Sequence, residues 1–199
     1  MKKIYIIVLP LLTSLGAIAQ DFDKNIATAR STYSSGNLHD SRFAMEQILR
    51  DLDIAIGKEI LKLLPAKIGA MAVVEKEDNV SGTGGAVGLY VNRHYGADPK
   101  RGSIEIINNS PLINSINAIL SMPIIGGMVR DENQKIIKIQ GYKSILNKQV
   151  NTETGKTNYE LQIPMNNTLL TLKMDDTSES EITSAANGIP LSKIVQISQ

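Results

Sequence analysis

Two hydrophobic periods divide the chain, and the change between them falls at Pro65. Over residues 21–64 apolar side chains return every three or four positions. Met45, Ile48, Leu49, Leu52, Ile56, Ile60 and Leu63 or Leu64 make one stripe about five turns long, the pattern of an amphipathic helix. A shorter helix carrying Phe22, Ile26, Ala29 and Tyr33 precedes it and stops at Ser34-Ser35-Gly36-Asn37, residues suited to a helix end. Pro65 ends the second helix, because proline disfavours helical geometry in the residue before it. The spacing thus predicts an antiparallel helical hairpin over 20–65.

Beyond Pro65 the apolar positions alternate with polar ones. Strands are expected at about 70–75, 87–95, 103–108, 135–145, 158–165 and 168–174. Tyr159-Glu160-Leu161-Gln162-Ile163 and Leu170-Thr171-Leu172-Lys173-Met174 each bury every second residue and wet the others. Asn166-Asn167 suits a tight hairpin turn, and Gly155 serves the same purpose before Tyr159. Two helices interrupt the strands. One, near 112–122, carries Leu112, Ile116, Ile119 and Leu120 and closes at Pro123; the other, near 178–188, opens on the capping box Ser178-Glu179-Ser180-Glu181. The fold class is therefore α+β, with an antiparallel β-sheet domain over 66–199 after the hairpin.

The first 19 residues change the picture of where the chain works. Lys2 and Lys3, an apolar run from Ile4 to Leu12, and Ala17-Ile18-Ala19 before Gln20 read as a secretory signal cleaved near Ala19. The run is too short to span a bilayer and Pro10 interrupts it, so no membrane span is expected once the signal is removed. The expected address is periplasmic or secreted. Without Lys2 and Lys3, 19 Lys and Arg face 20 Asp and Glu, a net charge of −1, which gives no long-range attraction to nucleic acid. The absence of Cys leaves stability to the packed core and excludes thiol chemistry.

Candidate chemistry is sparse. Ser81-Gly82-Thr83-Gly84-Gly85-Ala86-Val87-Gly88 lacks the Lys-Ser/Thr of a phosphate loop, and Val87 stands where a dinucleotide fingerprint needs its third glycine. The glycines read as a loop entering a strand. Arg93, His94 and Tyr95 form the densest polar cluster and are candidate partner- or ligand-binding residues, but a catalytic histidine needs a nucleophile and an orienting carboxylate, and no Gly-x-Ser-x-Gly elbow supplies the serine. Asp175-Asp176 and Asp51-x-Asp53 extend into no calcium loop. No catalytic, cofactor or metal residue is assigned. Met122, Ile124, Ile125 and Met128, in a Pro- and Gly-punctuated stretch, suggest an apolar lip that docks a partner or an acyl chain.

The hairpin, with small residues and Tyr33 on one helix and Ala44 on the next, resembles a single tetratricopeptide-like unit, though no second copy follows. Ser110-Pro111-Leu112, Met122-Pro123, the Lys138–Lys143 stretch, the segment 168–172 and the Ala-Gln junction resemble small exported proteins of Gram-negative, Bacteroidetes-like bacteria. The element order after Pro65 is similar to the β-sandwich of Mog1/PsbP-like proteins, which implies a binding or assembly role and supplies no site residues. The leading expectation is a non-enzymatic exported protein that binds an envelope protein partner through the hairpin and the apolar loop. A carrier of a small apolar ligand held between sheet and helices, with Met122, Ile124, Ile125 and Met128 at its mouth, is the alternative, and a hydrolase using His94 ranks below both.

Overall fold

The structure, a computed structural model, describes residues 16–82, 88–122, 133–152 and 154–198. Most of the expected signal segment, the 83–87 part of the glycine run, and Ile124, Ile125 and Met128 lie outside the described residues. The chain divides into two compact units, Met1–Asp51 and Leu52–Gln199.

In the first unit α1 (Gly16–Ser34) turns into α2 (Leu38–Leu63). The turn satisfies the exposed carbonyls of α1 in a Schellman arrangement: Asn37 N–H donates to Thr32 O and Gly36 N–H to Tyr33 O. Gly36, at φ 78°, adopts the left-handed conformation that this cap requires. The seam between the helices is built from small residues. Ala29, Ser41 and Ala44 are buried, and Ser41 Oγ donates to Ala29 O at 3.0 Å.

The second unit contains the remainder of α2, a short ribbon of β1 (Lys67–Ile68) and β2 (Met71–Ala72), a 3-10 turn at Glu75–Glu77, and a seven-stranded sheet. The sheet strands are β3 (Asn79–Gly82), β4 (Leu89–Ala97), β5 (Lys100–Asn108), β6 (Gln134–Ile139), β7 (Tyr142–Val150), β8 (Thr157–Met165) and β9 (Thr168–Met174). They lie in the order β3-β4-β5-β9-β8-β7-β6, every pair antiparallel. The α+β class follows directly. Three more helices complete the unit: α3 (Leu112–Ser121) between β5 and β6, then α4 (Glu179–Asn187) and α5 (Leu191–Ser198) after β9.

Alternation gives the sheet two different faces. On one, Val91, Ile104, Ile106, Leu161, Ile163, Leu170 and Leu172 join Ile60, Leu64, Ile68, Met71, Ile182, Ala186, Leu191 and Ile194 in the main core. On the other, Ile145 and Leu169 pack with Ile113, Ile116 and Leu120 of α3, while Asn92, His94, Ser103, Glu105, Glu160 and Gln162 stay partly exposed.

Several elements differ from the sequence reading. The strand expected over 135–145 is two strands, β6 and β7, because Gln140 (φ 48°) and Gly141 (φ 90°) reverse the chain. Two positive φ values are what a tight hairpin demands, and glutamine is not a residue that announces one. The strand expected over 70–75 shrinks to β2. The charged stretch at 75–79 becomes a 3-10 turn and the start of β3, which exists only by pairing with β4. Helix α5 follows Pro190 where no helix was expected. The capping box forms as predicted: Ser178 Oγ accepts from Glu181 N–H, and the Glu181 carboxylate accepts from Ser178 N–H. Among the described residues no helix is long and apolar enough to cross a membrane.

Candidate functional site

Arg93, His94 and Tyr95 are consecutive on β4, so the pleat sends the outer two to one face and His94 to the other. Arg93 Nε and Nη2 donate to the Asp78 carboxylate at 3.0 and 2.5 Å. Its Nη1 donates to Leu61 O at 2.9 Å. A fixed cation therefore sits at the C-terminal end of α2, where the helix dipole is negative. The Asp78 hydrogen bond holds the Arg93 guanidinium above its ordinary pKa.

Tyr95 is buried, and its hydroxyl donates to Pro65 O at 2.9 Å. Burial pushes that hydroxyl up to about 12. His94 stands on the polar face in register with Ser103. The cluster that looks chemical in the sequence is thus two fasteners and one residue on the opposite side. Arg93 and Tyr95 tie the end of α2 to the sheet.

The same device recurs. Gln140 Nε2 donates to Asn187 O and Ile189 O beyond α4 at 3.1 and 2.7 Å, and Asn108 Nδ2 donates to Ser198 O of α5 at 2.7 Å. Each of three helices ends on a sheet or turn side chain that satisfies its free carbonyls. Met122, the described member of the apolar lip, is the C-cap of α3 and is exposed. Ser81 and Gly82 pair with Tyr90 and Leu89, so the glycine run is flanked by strand on both sides.

The most unusual surface belongs to the hairpin. With Ala29, Ser41 and Ala44 on the seam, 100° per residue sends Ile26 and Tyr33 of α1 to one side of it. Counting the same way along the antiparallel α2 sends Leu38, Met45 and Leu49 to that same side. All five are open: Ile26 is 45% exposed, Tyr33 65%, Leu38 63%, Met45 48% and Leu49 52%. Phe43, also exposed, lies on another flank of α2, in a groove of about 280 Å³ with His39, Arg42 and Glu46.

Met45 and Leu49 belong to the same apolar stripe in the sequence as Ile56 and Ile60. Burial in the main core reaches Ile60 and Leu64, with Ile56 packed against it, whereas Met45, Leu49 and Leu52 stay exposed and Ile48 is half-buried. The signal in the sequence was the seam itself. Alanines and a serine bring two helices together without covering larger neighbours.

No protein-family model, no curated protein and no solved structure matches the chain.

Proposed function

We propose that this protein is an exported, non-enzymatic binding module that holds a protein partner through the bare side of its helical hairpin. One observation carries the reading: Ile26, Tyr33, Leu38, Met45 and Leu49 are all exposed on the same side of a hairpin whose seam is built from small residues. Single exposed apolar residues are ordinary, whereas a grouped set of this kind marks a contact surface. An amphipathic stripe at helical spacing suits a partner that supplies helices of its own.

The export signal expected at the N-terminus supports a periplasmic or secreted setting, and the partner is then an envelope or secreted protein. In this reading Arg93 and Tyr95 serve stability, not recognition, and Met122 flanks a secondary contact. The test is affinity capture from the native envelope followed by binding of the purified captured protein, comparing the natural chain with Met45→Glu/Leu49→Glu. Loss of binding with an unchanged melting curve is expected. Undiminished binding by the double variant refutes the reading.

A further inference from the structure

Resting on that reading, we infer that the partner of the hairpin is a second copy of this chain, the two hairpins closing face to face into a four-helix bundle. Size is the first argument. Five side chains of ~200 Å², each about half uncovered, leave roughly 550 Å² of apolar surface. A standard interface buries ~800 Å² per partner, of which about 60–65% is apolar, so the bare face matches the apolar part of one such interface.

Charge is the second argument. By the same helical count the border of the face within the first unit carries Asp23 and Arg30 on α1 and Arg42 and Glu46 on α2, two acids and two bases. Arg42 Nε already donates to Glu46 Oε1 at 3.0 Å. A rim without net charge steers toward neither an acidic nor a basic partner, and is compatible with its own rotated image. Two-fold pairing uses one patch twice, and antiparallel hairpins with short loops are the units from which four-helix bundles are assembled.

Sedimentation equilibrium of the chain from Gln20 onward, at low micromolar concentration, is expected to give twice the monomer mass. Met45→Glu/Leu49→Glu should sediment as a monomer, weakened ~100-fold or more by charges at the centre of the contact. Phe43→Glu, on the other flank of α2, should remain dimeric.

A natural chain that sediments as a monomer overturns the inference. If the double variant then still loses capture of an envelope protein, only the identity of the partner is wrong. If capture is unaffected as well, the binding reading falls with it.

Discussion

Replacing Arg93 by methionine separates a fastening role from a recognition role. The pair it forms with Asp78 is largely sheltered, the two side chains being 11% and 14% exposed. Removing the cation leaves the Asp78 carboxylate sheltered without its counter-charge, an arrangement that costs ~3–5 kcal/mol when a buried pair is broken from one side. The Leu61 carbonyl at the end of α2 also loses its donor, ~1 kcal/mol more. A loss of about 4 kcal/mol in urea unfolding, read by far-ultraviolet circular dichroism, is expected for Arg93→Met, the lower end of the combined range because the pair is not wholly dry.

Arg93→Met combined with Asp78→Leu should recover most of that loss, because no charge is then left unpaired; ~1–2 kcal/mol, the helix-end contribution, stays missing. Because Asp78→Leu alone would strand the sheltered Arg93 cation in turn, the two substitutions should depart from additivity by at least ~2 kcal/mol. A cost below ~1 kcal/mol for Arg93→Met, or additive losses in the double variant, would refute the fastening argument. If Arg93→Met instead left stability intact and abolished partner capture, Arg93 would be a contact residue.

Two further outcomes test the packing. A Cβ at Gly57 would meet Val80 Cγ1 and lie 2.8 Å from Leu89 Cδ1, so overpacking of ~1–3 kcal/mol should outweigh the ~1 kcal/mol gained in helix propensity; Gly57→Ala should melt below the natural protein, and a raised melting temperature would disprove the tight approach of α2 to β3 and β4. Tyr95→Phe should cost ~1 kcal/mol at neutral pH through the lost bond to Pro65 O. Because burial raises the Tyr95 hydroxyl from 10.0 to about 12, the unfolded chain ionises first as pH rises. The stabilisation is complete below pH 10 and is lost toward about 12, so the gap between natural protein and variant should close and then reverse over that interval in alkaline urea titrations. A constant gap would show that Tyr95 titrates normally.

Local chemistry was readable wherever a short segment carries its own instructions. The Gly36-Asn37 turn, the Ser178 capping box, α3 (Leu112–Ser121) and the alternation of β8 all depend on neighbours within a few positions, and the sequence by itself determined them; β9, read as wet on one face, is buried at Thr171 as well. Elements that exist only through distant partners were not readable. Asn79–Gly82 is a strand because β4 lies beside it, and the Gln140 turn is held by carbonyls at 187 and 189 far along the chain. The candidate site followed the same division. Periodicity correctly marked Met45 and Leu49 as one stripe with Ile60, but a stripe states only which residues share a side of a helix. Whether that side is dry depends on what the rest of the chain brings against it, and burial is a property of two surfaces. Likewise Arg93, His94 and Tyr95 are adjacent in sequence, yet the pleat and the end of α2 decided that two of them fasten the fold and the third faces the opposite side.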